Sequence, residues 1–193
     1  MRISGGDLKG RKLATRKTSR VRPTAEKVRQ SLFNVLGDWI EDKEVLDLFA
    51  GFGTLGLEAL SRGAAEAVFV ENHLPAARLI VANLRDLGIG NRGRVITLTW
   101  ETALRILGRS GRVFDLILAD PPYSYLEPEE SVRPDFGQKL LFLADRYSIL
   151  SQEGIVVIEH FSGRHLVPCP GWRMSRRIKH GQTALTVFIR GNE

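Results

Sequence analysis

Four residues, Asp120-Pro121-Pro122-Tyr123, place a carboxylate, two rigid backbone units and an aromatic ring directly after the apolar run Phe114-Asp115-Leu116-Ile117-Leu118-Ala119. That set suits work on the exocyclic amine of a nucleobase. Such an amine is a poor nucleophile because its lone pair is delocalised into the ring. The Asp120 carboxylate and the Pro121 carbonyl can each accept one of its N–H bonds, which favours a pyramidal nitrogen with the lone pair turned outward. The prolines stiffen the segment and leave that carbonyl without a helical partner. Tyr123 can stack on the base and fix its plane. Transfer of a sulfonium methyl group to the nitrogen is then an in-line displacement in which positioning supplies much of the rate. The amine becomes strongly acidic as the new bond forms, so its proton can leave late, to Asp120 or to water.

A nucleoside-type cofactor has a place upstream. Val45 to Phe49 form a short apolar run, and Gly51, Gly53 and Gly56 follow at G-x-G-x-x-G spacing, which lets backbone pass close to a ligand with no Cβ in the way. A second apolar run, Ala67 to Val70, ends in Glu71, where a ribose diol can be held. The glycines alone leave open a nicotinamide or flavin dinucleotide and S-adenosylmethionine. Asp-Pro-Pro-Tyr separates them, because a hydride-transfer enzyme has no use for it.

The elements that must position these residues follow from periodicity. Thr24 caps a predicted helix behind Pro23, in which Ala25, Val28, Leu32, Val35, Leu36 and Trp39 recur on one face while Lys27, Arg29 and Gln30 fall away from it. Leu74 to Leu87 is a second amphipathic helix, closed by Gly88. Strands are predicted at Val95 to Leu98 and Ile155 to Glu159, with helices at Thr102 to Leu107 and Phe136 to Leu150, and a mobile loop over Glu127 to Pro134. Trp172 to Lys179 and Thr183 to Arg190 have no helix between them and pair as a hairpin. Alternation of this kind gives an α/β fold: a mainly parallel sheet, helices on both faces, and an antiparallel hairpin at the end. Gly51, Glu71, Glu101 and Asp120 are expected to converge beyond the carboxyl ends of the strands.

Composition bounds the rest. At 193 residues and 43% hydrophobic the chain can bury one sizeable core. No apolar stretch is long enough for a membrane span and the first residues do not read as a signal peptide, which predicts a cytoplasmic protein. The single cysteine, Cys169, excludes an internal disulfide, and its spacing from His160 and His165 matches no zinc pattern, so no metal is expected. The net charge of +6 is uneven. Lys9, Arg11, Lys12, Arg16, Lys17, Arg20 and Arg22 form an acid-free block, and Arg173, Arg176, Arg177 and Lys179 form another. Both suit a polyanion tracked through its phosphates. Residues 1–22 read as a basic N-terminal extension with a hairpin between Met1 to Ser4 and Arg11 to Ala14, and 23–193 as the main domain.

Taken together, Lys9-Gly10-Arg11-Lys12-Leu13, Arg22-Pro23-Thr24, Arg29-Gln30-Ser31-Leu32-Phe33, Leu46-Asp47-Leu48-Phe49-Ala50-Gly51, Asp120-Pro121-Pro122-Tyr123 and Lys179-His180-Gly181-Gln182-Thr183 resemble the bacterial RsmD family in order and along nearly the whole chain. The resemblance implies a Rossmann-like class I S-adenosylmethionine-dependent methyltransferase fold with a seven-stranded sheet. It implies methylation of the N2 amine of a guanine in 16S ribosomal RNA, within the small subunit or an assembly intermediate; a monomer is expected. Carried over by position, it places the cofactor along Asp47, Phe49, Ala50, Gly51, Gly53, Thr54 and Gly56, with its ribose on Glu71, its adenine near Asn72 and Glu101, and Thr24 at the border. RNA contacts are expected from Lys9, Arg11, Lys12, Arg16, Arg22 and Arg29, and catalysis from Asp120, Pro121, Pro122 and Tyr123. Phe52 departs from the family, which usually has a small residue there. A DNA adenine-N6 methyltransferase shares Asp-Pro-Pro-Tyr, but no stretch is left here for a separate target-recognition domain. A dinucleotide-dependent reductase, or a non-catalytic RNA-binding module that keeps a nucleoside pocket, is the alternative from another class.

Overall fold

In the computed structural model of this chain the described residues are 1–15, 26–122 and 136–191. Their elements run α1 (Glu26–Leu36), β1 (Glu44–Leu48), α2 (Thr54–Ser61), β2 (Glu66–Val70), α3 (Leu74–Asp86), β3 (Gly93–Ile96), α4 (Trp100–Arg109), β4 (Phe114–Ala119), α5 (Phe136–Arg146), β5 (Leu150–Phe161), β6 (Trp172–His180) and β7 (Thr183–Arg190). The strands form one sheet in the order β3-β2-β1-β4-β5-β7-β6. Pairing is parallel from β3 to β5, and β7 runs antiparallel to both of its neighbours. This is the predicted mainly parallel sheet with a closing hairpin. The chain order reverses direction across β1 and β4, and such a reversal opens a crevice at the carboxyl ends of those two strands.

The central strands are apolar on both faces because both are covered. On one side, α1, α2 and α3 pack on Val45, Leu116, Leu118, Val157 and Leu185. On the other, α4 and α5 pack on Leu46, Leu48, Ile117, Val156 and Phe188. Pro75 stands in the first turn of α3, where a missing N–H costs nothing, and Gly88 at φ 75° ends the helix. Ile3 and Leu13 belong to the first of these clusters. They are fastened by Ile3 N–H to Arg11 C=O at 3.0 Å and Leu13 N–H to Met1 C=O at 3.0 Å, so the predicted hairpin shares the core.

Several boundaries differ from expectation. The strand predicted at Val95 to Leu98 is Gly93–Ile96, and the helix after it starts at Trp100, which puts Glu101 in its first turn. Strand β5 begins at Leu150, inside the predicted helix. Helix α1 gives way at Gly37, φ 53°, to a 3-10 turn over Gly37–Ile40, and within the helix Phe33 shares the buried face with Val28, Leu32 and Leu36 while Val35 is exposed.

The larger correction is Arg29. Expected to reach phosphate, it is only 1% exposed. Its Nε donates to Glu58 at 3.0 Å and its Nη2 to the Arg2 carbonyl at 2.8 Å. Glu58 also accepts from the Ser4 N–H (2.9 Å), the Ser4 hydroxyl (2.7 Å) and Arg62 Nε (3.0 Å), so one buried carboxylate ties the N-terminal hairpin, α1 and α2 together. Removing one partner of a buried pair leaves a charge without solvation. Glu58→Ala is therefore expected to lose about 3–5 kcal/mol of stability in urea unfolding. A loss below about 1 kcal/mol would mean that the pair holds nothing together.

Candidate active site

Strand register assembles the crevice. Leu48 pairs with Ala119 on one side and Val70 on the other, and Val70 pairs with Ile96. The residues that leave this row, Phe49, Glu71 and Asp120, therefore emerge side by side at the carboxyl edge.

The loop after β1 is built for close approach. Phe49 takes a left-handed φ of 61°, unusual for a bulky side chain, and the turn is pinned by Ala50 N–H to Val70 C=O at 2.9 Å and Gly53 N–H to Ala50 C=O at 2.7 Å. Gly53, at φ 79°, starts α2 from a conformation that only glycine adopts cheaply. At Gly56 the reason for glycine is packing, since a Cβ there would lie 2.3 Å from Cε1 of Phe69. Glu71, nearly buried, accepts from Gly51 N–H at 2.8 Å and His73 N–H at 2.7 Å. Each carboxylate oxygen keeps a further lone pair, so a diol can still be received there. The glycine cradle and this carboxylate fit a nucleoside with an extended tail.

Three carboxylates converge. Asp47, buried in β1, accepts from Gly56 N–H at 2.9 Å. Its pKa is pushed up to about 8, chiefly by burial, with the Gly56 N–H opposing and the charges of Asp120 and Glu71 adding to the rise. Asp120 is half-buried, Pro121 is buried and Pro122 is exposed. Tyr123, Thr24, Arg16 and Arg22 lie outside the described residues.

Other expected contacts are less centred on the crevice. Asn72 is exposed beside Glu71. Glu101 is turned to α5, where Lys139 Nζ donates to it at 3.1 Å. Thr54 is buried in the first turn of α2. Lys9, Arg11 and Lys12 are exposed, with Arg11 Nη2 donating to the Asp86 carbonyl at 2.9 Å.

Two features escaped sequence reasoning. Asn83 of α3, buried, accepts from Ala14 N–H at 2.7 Å and donates to the carbonyls of Ala14 (3.1 Å) and Phe52 (3.3 Å), which joins the hairpin to the glycine loop. Phe49, Trp100 and Phe136, from three separate loops or helix starts, cluster with ring centroids 5.2–6.0 Å apart. Their spacing along the chain gives no periodic signal.

The family model described as Conserved hypothetical protein 95 matches residues 1–189. Ribosomal RNA small subunit methyltransferase D of Escherichia coli (strain K12) is 34% identical over 191 residues, covering 98% of this chain and 90% of that relative. Among solved structures, Escherichia coli yhhF superposes with a TM-score of 0.81 at 28% identity, covering 100% of this chain and 99% of that one. An RNA methyltransferase from Salinibacter ruber, solved with S-adenosyl-L-homocysteine, superposes with a TM-score of 0.62 at 15% identity, covering 88% and 93%, a likeness of fold.

The raised Asp47 pKa has a stability consequence. The unfolded carboxyl ionises near 3.8 and the folded one near 8, so between these values the folded state holds a proton that the unfolded state lacks. That contribution is complete below about pH 4 and is lost as pH rises to about 8. Urea unfolding across this range is expected to find wild type losing stability relative to Asp47→Asn, which keeps an acceptor for Gly56 but cannot ionise. Parallel pH curves for the two proteins would contradict the assignment.

Proposed function

This chain belongs to the Conserved hypothetical protein 95 family, that of ribosomal RNA small subunit methyltransferase D, and from that premise we propose that it methylates the N2 amine of a guanine in small-subunit ribosomal RNA, using S-adenosylmethionine. The observation that carries the reading is the alignment of two strand ends. Asp120-Pro121-Pro122 leaves β4 beside the glycine loop of β1, close enough for the Asp120 charge to raise the Asp47 pKa.

S-adenosylmethionine, when bound, supplies an electrophilic methyl group. The backbone from Asp47 to Gly53, with Thr54 and Gly56, would cradle its amino-acid end, and Glu71 would accept its ribose hydroxyls. The chain's own work is to present the amine. Asp120 and the Pro121 carbonyl would accept its two N–H bonds and hold the lone pair outward, and Asp120 or water would take the proton as the new C–N bond forms and the methyl carbon's bond to sulfur breaks, the sulfur leaving as a neutral thioether. Tyr123 would stack on the base. A guanine must be unstacked to reach this edge, so groups that grip the flanking backbone assist. Lys9, Arg11 and Lys12, with Arg16 and Arg22, are proposed for that role.

Labelled methyl transfer tests this, with small ribosomal subunits from a strain lacking the protein set against duplex DNA. Label is expected in RNA guanine. Asp120→Ala is expected to lose far more than tenfold in kcat, which is above about 1.4 kcal/mol of transition-state stabilisation, with Asp120→Asn less affected because it keeps one acceptor oxygen. Label confined to DNA adenine would favour the alternative enzyme. Tight cofactor binding without transfer to either would favour a binding module. An alanine variant retaining more than a tenth of wild-type kcat would remove Asp120 from the mechanism.

A further inference from the structure

From His160 to Arg190 the chain contains no Asp or Glu, and its six Lys and Arg residues equal the formal net charge of the whole protein, +6. Arg177 and Arg190 have structural duties. Arg177 donates to the carbonyls of Ser162 (2.6 Å) and Arg164 (2.8 Å), holding the loop after β5, and Arg190 is engaged by Asp145 and the Trp172 ring. Arg173, Arg176 and Lys179 are exposed on β6, the edge strand, and His180 is exposed at its end.

The topology brings that end to the crevice. Both β5 and β6 pair antiparallel with β7, so β6 points the same way as β4 and β5. Ala119, Ile158, Thr186 and Arg177 lie in one row across four strands. The row of Phe161, Thr183 and His180 is three residues further on, a ledge standing roughly 10 Å beyond the Ala119 row at about 3.3 Å per residue. Strand β6 is three strand spacings from β4, roughly 14 Å. Phe161, next door to the strand of Asp120, is 46% exposed. Its ring rests on Gly163, where a Cβ would lie 2.7 Å from the ring, so the phenyl group is braced in the open. Beneath it His160 is buried, with Nε2 2.7 Å from the Thr186 hydroxyl. Burial pushes its pKa down, the Phe161 carbonyl opposes this, and the charges of Arg177, Arg164 and His165 push it further down.

We propose that the cationic edge strand β6, from Arg173 to His180, with the exposed Phe161 ring beside its carboxyl end, is a second RNA-contact surface that holds the single-stranded segment flanking the target nucleotide. The inference rests on the proposed RNA substrate. Charge selects a polyanion, and a braced exposed ring between cations and the crevice selects one with bases to stack, as in sites that bind single strands. Charge on an edge strand also discourages strand-to-strand association, but that duty does not call for an exposed Phe at the strand end.

Two surface variants test it, Arg176→Gln/Lys179→Gln and Phe161→Leu, the latter keeping an apolar side chain but losing the ring. Protein-free small-subunit RNA is titrated at several salt concentrations, and S-adenosylhomocysteine affinity is measured by calorimetry. The double variant is expected to lower the log–log salt slope by roughly 1.4, two single-strand phosphate contacts, with cofactor affinity unchanged. Phe161→Leu is expected to weaken RNA binding about tenfold at an unchanged slope and, on subunits, to raise KM with kcat preserved. Unaltered RNA affinity and slope in both variants would overturn the inference, as would self-association of the double variant with RNA binding intact. These titrations are read without methyl transfer. A wild type that transfers methyl while its variants bind RNA normally sinks this surface alone, whereas a wild type without transfer to RNA sinks the proposed function and leaves the binding result to judge the surface.

Discussion

Parallel pairing of β1 with β4, in the register that sets Leu48 against Ala119, is the constraint on which the carboxyl edge depends. It decides that the glycine loop and Asp120 leave the sheet at one level. A slip of one residue would send every side chain of a strand to the opposite face, and both faces here are packed against helices. The burial of Leu46, Leu48, Leu116, Ile117 and Leu118 therefore enforces the geometry of a site that none of these side chains enters. In this sense the core is the positioning device, and the polar residues inherit their distances from it.

Around that frame, buried polar groups fix the parts that apolar packing leaves loose. Glu58 gathers four donors from Ser4, Arg29 and Arg62. Glu71 takes two backbone N–H groups and so shapes the loops after β1 and β2 at once. Asp47 accepts, among the described residues, one N–H, from Gly56, and remains far from its ordinary acidity. A buried carboxylate is held as an anion only when donors replace the water it has lost, and at Asp47 burial outweighs the one N–H. Asn83 adds a neutral link between the N-terminal hairpin and the Phe52 carbonyl, so the basic segment at Arg11 and Lys12 and the cofactor loop are parts of one hydrogen-bonded structure.

The sheet, its closing hairpin and the convergence of Gly51, Glu71 and Asp120 were legible in the sequence because each rests on a local pattern: apolar runs of strand length, glycines at fixed spacing, and a carboxylate at a strand end. Arg29 was misread because helical periodicity assigns a face without knowing that an acid from another helix will be waiting there. Val35 was misread with it, since the buried face of the helix is centred on Val28, Arg29, Leu32, Phe33 and Leu36, which leaves Val35 at its margin. Glu101 was expected at a loop and stands in a helix, as the weak strand β3 offered no sharp boundary. The cluster of Phe49, Trp100 and Phe136 is a tertiary event, visible only once the three segments share an edge.

The central claim is that the crevice between β1 and β4 delivers a methyl group to the N2 amine of a ribosomal guanine. Its most direct test is nucleoside analysis by mass spectrometry of small-subunit ribosomal RNA from cells with and without the gene for this protein. The account predicts that one N2-methylguanosine per small-subunit RNA disappears with the gene and returns when the wild-type chain is restored. An unchanged N2-methylguanosine content in the RNA, together with loss of N6-methyladenine from DNA, would contradict it.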